Sequence, residues 1–153
     1  LTIKPEKATS DGGSGVKKGD YFVDLKHIEN KINPNVNSLI IKTQQDYNSL
    51  HEKTYNNTNW PYLTENAAGY IRDSGILHLL IDQPSVDKEF DDGKLLAHKA
   101  FWNYPNIIDS KRTITELIGI PDGVPDGLYL LNLSLSNIEN DASPSRPVIY
   151  KLY

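Results

Sequence analysis

Four histidines, His27, His51, His78 and His98, are the side chains best suited to moving protons or binding metals near neutral pH. None stands in a His-Glu-x-x-His motif or beside another histidine. His78 lies in ILHLLI, where a strand would place Ile76, His78 and Leu80 on one face. His98 sits similarly in LLAHKAF. If those two stretches pair as strands, His78 and His98 meet across a sheet, and Asp82 or Asp92 could complete a two-histidine metal site. The plainer expectation is a half-buried structural histidine at each position. Asp87, Glu89, Asp91 and Asp92 form an acidic run before Gly93. A hard cation needs several such oxygens, but Gly93 falls one place late for an EF-hand and the closing Glu is missing. The run therefore reads as a solvated loop, and no bound metal is expected.

Covalent chemistry finds little support. The chain has no cysteine, which excludes thiolate nucleophiles, disulfides and Cys-ligated zinc. Ser74 in RDSG and Ser85 in PSVD lack the GxSxG elbow of an activated serine. GGSG at residues 12–15 lacks the Lys-Ser/Thr and the preceding strand of a phosphate-binding loop. No cofactor is expected, and the chain reads as a non-enzyme.

What remains is an aromatic and amide-rich surface. Tyr55, Asn57, Asn59, Trp60 and Tyr62 cluster in a stretch without hydrophobic period, and such segments lie at the surface. Aromatic rings stack on sugars or anchor protein contacts, and asparagines add hydrogen bonds. Trp102 and Tyr104 in FWNY form a second candidate patch, although Trp102 also reads as core. These seven residues are the candidate binding site.

The elements that would position them follow from periodicity. Leu25, Ile28 and Ile32 share a helical face, and Pro34 should end that helix. Residues 38–42 (SLIIK) read as a buried strand, and Thr43-Gln44-Gln45-Asp46 as the start of a second helix. From Ala67 onward the pattern reads as strands: residues 69–72 and 76–81 around an Asp73-Ser74-Gly75 hairpin turn, then 94–102, 113–118, 128–135 and 148–153. Leu131, Leu133 and Leu135 alternate with Asn132, Ser134 and Ser136. The expected fold is α+β, mainly β: one or two N-terminal helices followed by a mostly antiparallel sheet or small sandwich of five to six strands. Residues 1–20, with DGGSG at 11–15, read as a flexible arm or linker, and 21–153 as a single globular domain.

Length and charge set the outer limits. The 153 residues weigh 17.2 kDa, and 16 basic against 20 acidic residues leave a formal charge of −4. That charge disfavours phosphate-led nucleic-acid binding. No apolar run approaches the roughly 20 residues that cross a bilayer, so no membrane insertion is expected. Methionine is absent and the chain opens on Leu1, which reads as a processed, trimmed or partial chain.

Two short segments carry a family resemblance. Gly19-Asp20 followed by Lys31-Ile32-Asn33-Pro34-Asn35-Val36-Asn37 resembles a segment near the start of several phage baseplate and tail proteins. Asn59-Trp60-Pro61 followed by Ala68-Gly69-Tyr70-Ile71 resembles units of phage tail-fibre and receptor-binding proteins. The resemblance implies a virion structural protein, commonly trimeric. The leading expectation is thus a non-catalytic structural or adhesion module in a phage tail or baseplate. It would bind protein partners, by self-association as a homotrimer for example, or surface glycans, on a virion or cell surface. A sugar- or protein-binding accessory domain of a secreted or surface bacterial protein is the second reading. A small hydrolase with an unrecognised site is the third.

Overall fold

The computed structural model describes residues 1–43, 46–50 and 52–152. In chain order the elements are β1 (Glu6–Lys7), β2 (Tyr21–Val23), α1 (Leu25–Ile28), β3 (Ser38–Ile41), β4 (Tyr62–Leu63), α2 (Glu65–Asp73), β5 (His78–Ile81), α3 (Leu96–Trp102), β6 (Thr113–Thr115), β7 (Tyr129–Leu135) and β8 (Ser145–Lys151). A single 3₁₀ turn, Tyr47–Ser49, lies between β3 and β4. Helices and strands are mixed, as the α+β expectation had it.

The finer expectation is corrected. The central sheet has the order β3-β5-β6 and is parallel throughout, with Leu39 opposite Leu79 and Leu79 opposite Ile114. A second small sheet, β1-β2-β4, pairs β2 and β4 in parallel and β1 and β2 antiparallel. β7 and β8 form an antiparallel hairpin of the expected kind. Parallel strands need a crossover: the chain from β3 to β5 passes through β4 and α2, and the chain from β5 to β6 passes through α3.

Two segments expected as strands are those helices. Residues 69–72 belong to α2, whose N-cap Thr64 accepts the Ala67 N–H at 3.2 Å. Ala67, Ala68 and Ile71 bury the inner face at i, i+1 and i+4, a helical spacing. Asp73-Ser74-Gly75, expected as a hairpin turn, ends the helix: Ser74 N–H returns to the Tyr70 carbonyl and Gly75 takes φ +86°. Most of residues 94–102 is helix α3, Leu96–Trp102, which buries Ala97 and Phe101, again four apart. The segment from Gln44 expected as a second helix begins partly outside the described residues.

The main core lies between the central sheet and its helices: Ile41, Leu79 and Ile81 from the sheet, Ile28 from α1, Ile71 from α2 and Phe101 from α3. Residues 1–20, expected as a flexible arm, are held to the body. Ile3 N–H donates to the Lys42 carbonyl, extending the edge of β3, and Ile3 is buried in the main core. Ala8 and Val16 pack with Phe22 and Tyr62 in a second cluster. Among the described residues no helix is long and apolar enough to cross a membrane.

Candidate functional site

A parallel sheet gathers the loops that leave its C-terminal edge, and ligand sites form there. Three chain segments converge beyond that edge. Thr43 follows β3, Asp82 and Gln83 follow β5, and Glu116 follows β6. Asp82 accepts the Thr43 backbone N–H and hydroxyl, both at 2.8 Å, tying the first two strand ends together. Glu116 Oε1 accepts the Val86 N–H at 2.8 Å, tying the β6 end to the loop after β5.

That loop carries Asp87, which is almost fully buried. Its Oδ1 accepts the Ala97 N–H at 2.7 Å, and its Oδ2 the His98 N–H at 3.3 Å. These are first-turn amides of α3, whose own N-cap position, Leu95, has no capping side chain. Asp87 therefore caps α3 from a distance in sequence. The same Oδ2 lies 2.6 Å from His98 Nδ1. A carboxylate can only accept, so Nδ1 carries the proton. The other ring nitrogen, Nε2, is left 3.5 Å from Glu116 Oε1.

Burial alone would lower the His98 pKa. The hydrogen bond to Asp87 and the charges of Glu116, Asp87 and Asp91 outweigh it and hold the imidazole above its ordinary 6.5. His98 is thus a histidine with fixed tautomer, fixed orientation and a tuned proton affinity. Such a group takes a proton from one partner and gives it to another near neutral pH.

Two of the residues expected to bind ligand flank this pair. Trp60 is half-buried and its indole N–H donates to the Asp87 carbonyl at 2.9 Å. The Trp102 ring lies 5.1 Å from the His98 ring, tilted by 59°. Tyr55 is partly buried, and burial together with the nearby Asp82 charge raises its phenol. The other four are placed differently. The backbone N–H groups of Asn57 and Asn59 both donate to Glu89, in left-handed turns at φ 61° and 49°. Tyr62 is buried, its hydroxyl donating to Asp20 at 2.8 Å. Tyr104 is exposed, with Lys99 over its ring.

The acidic run is solvated only in part: the Asp92 side chain is exposed, and the other three hold the backbone. Asp87 caps α3, Glu89 holds the Asn57–Asn59 turn, and Asp91 accepts the Gly93 and Leu95 amides. His78 and His98 do not meet: His78 bonds Thr113 Oγ1 where β5 and β6 begin, and His98 lies past the other end of that pair. Sequence reasoning singled out Asp87 and His98 without connecting them and missed Glu116. No local motif links them, because eleven residues separate Asp87 from His98 and eighteen separate His98 from Glu116.

Comparison with known proteins defines the class. The family model described as "Putative cyclase" matches residues 7–88, just over half of the chain. The chain belongs to that family. Asp87 falls within the matched residues, and His98 and Glu116 follow them. Two solved structures share the fold. One is titled "The Structure Of Potential Metal-Dependent Hydrolase With Cyclase Activity": it is 18% identical, with a TM-score of 0.54, over 84% of this chain and 62% of its own. The other, "The structure of predicted metal-dependent hydrolase from Bacillus stearothermophilus", is 17% identical with a TM-score of 0.54, over 96% of this chain and 74% of its own. The chain thus spans less than two thirds of the first neighbour. No curated protein matches the sequence.

These findings correct the leading expectation. The family is described by an activity, and neither it nor the neighbours point to a phage tail, a baseplate or an adhesion module. The reading as a non-enzyme falls with it. The third reading, a hydrolase with an unrecognised site, agrees better.

The neighbours' titles also raise the question of a metal. His98 Nε2 and Glu116 Oε1 are a nitrogen and an oxygen donor on one spot, a pair that zinc-type cations accept. Catalytic zinc takes three protein ligands, and among the described residues no group of three or more His, Cys, Asp or Glu could hold a metal. The donor set on these residues is therefore incomplete.

Proposed function

We propose that this chain forms part of a hydrolase of the cyclase family, in which His98 transfers the proton during hydrolysis at a carbonyl. The observation that supports the reading is the chain Asp87–His98–Glu116, assembled past the C-terminal edge of the parallel sheet from three separate segments. In the neutral state His98 Nε2 has a free lone pair. It takes a proton from water as the water oxygen bonds to the carbonyl carbon, and the carbonyl π electrons move onto oxygen. As the intermediate collapses, the bond to the leaving oxygen or nitrogen breaks and His98 returns the proton to that atom. Asp87 is a positioning residue: it fixes the Nδ1–H tautomer and stabilises the imidazolium between the two transfers. Glu116 adds a second negative charge beside Nε2.

The same sequence run backwards closes a ring. An internal hydroxyl or amine attacks the carbonyl, and water leaves with the proton from His98. Cyclase and hydrolase activities are thus two directions of one proton-transfer cycle, which fits the family description and the neighbours' titles together. The reading is tested on a panel of lactones, cyclic amides and linear esters, each with and without added zinc or manganese. Hydrolysis of at least one carbonyl class by the wild type, lost about a hundredfold or more in His98→Gln, is the expected result. Hydrolysis that survives His98→Gln unchanged overturns the assignment.

A further inference from the structure

A left-handed backbone suits glycine and, after it, asparagine and aspartate, whose short polar side chains bond their own turn. Among the described residues eight that are not glycine take a positive φ, and six of these are Ser14, Asn30, Asn57, Asn59, Asp92 and Asn103. The other two are leucines, Leu95 at φ 49° and Leu117 at φ 54°. Leucine gains nothing from that conformation. Its Cβ crowds the following carbonyl, and its side chain has no polar atom to bond the turn.

Both leucines adjoin the Asp87–His98–Glu116 chain. Leu95 stands three residues before His98, at the start of α3, and Leu117 directly follows Glu116. Each backbone is pinned. The Leu95 N–H donates to Asp91 Oδ2 at 2.7 Å, and its carbonyl accepts the Lys99 N–H at 2.9 Å. The Leu117 N–H donates to the carbonyl of buried Gln83 at 2.7 Å, and the next amide, Ile118, donates to the Ile81 carbonyl at 3.1 Å. Backbone strain persists only where the surroundings over-determine it, and it gathers at active sites and ligand clamps.

The fold requires the two turns, but glycine or asparagine would make them at less cost. The leucine side chains need a reason of their own, and the core does not provide it: Leu95 is 43% exposed and Leu117 53% exposed. Each position therefore combines a strained backbone with apolar surface in water. A residue unfavourable twice within its own chain is offset only by something outside the chain that covers it. The two leucines come from the two segments that supply His98 and Glu116, whose side chains meet at 3.5 Å. A molecule bound at that meeting point lies between them.

We propose that Leu95 and Leu117 are specificity residues that clasp an apolar, uncharged group of the substrate beside the carbonyl that His98 serves. The inference rests on the reading of His98 as the proton-transfer group, and it adds the class of substrate: a carbonyl compound whose neighbouring substituent is hydrocarbon. A charged substituent would lose its water between two leucines without gaining a partner. An anionic one would also meet the carboxylates of Glu116 and Asp91, which stand beside the same two segments.

Benzamide and acetamide are the probes, because they share the amide carbonyl and differ in the apolar group. In the whole chain with labelled leucine methyls, benzamide should shift the Leu95 and Leu117 NMR signals, and acetamide at the same concentrations should leave them in place. Leu95→Asn and Leu117→Asn, singly and together, should unfold at the same urea concentration as wild type or higher, because asparagine suits the left-handed backbone. Benzamide binding should weaken about tenfold or more in the double variant. Stability kept or gained while binding is lost is a result that a packing role cannot produce. Hydrolysis that survives His98→Gln removes the role of His98, and the clasp stands if benzamide still moves the two signals. Signals unmoved by benzamide overturn the clasp whatever His98 does. Equal shifts with acetamide, a leucine variant less stable than wild type, or unchanged benzamide binding in the double variant would each overturn it too. So would leucine methyls shielded from a soluble paramagnetic probe before benzamide is added, which would assign their cover to another polypeptide.

Discussion

Asp87 Oδ2 accepts from His98 twice, from its backbone N–H at 3.3 Å and from its imidazole Nδ1 at 2.6 Å. One carboxylate oxygen therefore starts a helix and aims the ring that the helix carries. The coupling explains why α3 begins without a capping side chain of its own. It also means that the orientation of His98 cannot be disturbed without disturbing the helix end.

Asp87→Asn separates these two roles in part. An amide can keep one accepted hydrogen bond but loses the charge, so the His98 pKa should fall from its raised position. The helix cap weakens, at a cost of about 1–2 kcal/mol. NMR titration of the His98 ring and urea unfolding check the two effects. A His98 titration unmoved in this variant would mean that Asp87 does not tune the ring.

The His98 shift makes stability and activity depend on pH in opposite senses. The folded protein binds this proton more tightly than the unfolded chain does. The stabilisation is therefore fully present below about pH 6.5, and is lost as pH rises through the higher folded value. Water activation needs the neutral ring, so hydrolysis should rise over that same interval. Unfolding midpoints and rates between pH 5 and 9 should move in these opposite directions for the wild type. In His98→Gln both slopes should flatten.

Tyr62 is a structural residue in the fold, whatever ligand the surface takes. Its hydroxyl donates to Asp20, which also receives the Lys17 N–H and the Lys88 ammonium. Burial would raise the Asp20 carboxyl, but these donors hold it below the ordinary 3.8. The stability it contributes is present above that value and is lost as pH falls through the depressed one. Tyr62→Phe should cost about 1–3 kcal/mol, should make acid unfolding begin at higher pH, and should leave turnover unchanged. A variant as stable as wild type by urea titration would contradict this account.

Removing Leu1–Ile3 should destabilise the protein rather than trim it. Those residues cover the open edge of β3: the Leu1 amino group donates to the Ile40 carbonyl at 2.8 Å, and Ile3 N–H to the Lys42 carbonyl at 2.8 Å. Ile3 also fills the main core, at 4% exposure. Ile3→Ala alone should cost about 2–4 kcal/mol. A thermal midpoint within a degree or two of wild type would show that the segment is dispensable.

Sequence alone determined what local patterns can determine. Strand-like patterns marked β3, β5, β6, β7 and β8, and the alternation of Leu131, Leu133 and Leu135 with Asn132 and Ser134 described the β7–β8 hairpin correctly. It could not tell residues 69–72 and 94–102 from strands. Short apolar stretches fit both periods, and what decided them were caps: Thr64 beside α2 and Asp87, nine residues before α3 begins. Strand direction was equally hidden, because parallel pairing is set by which helices cross over and not by the strands' own residues. The site belonged wholly to the tertiary structure. Asp87, His98 and Glu116 share no motif and no local spacing. They come together only because β5 and β6 end side by side and α3 returns its first turn to the loop between them.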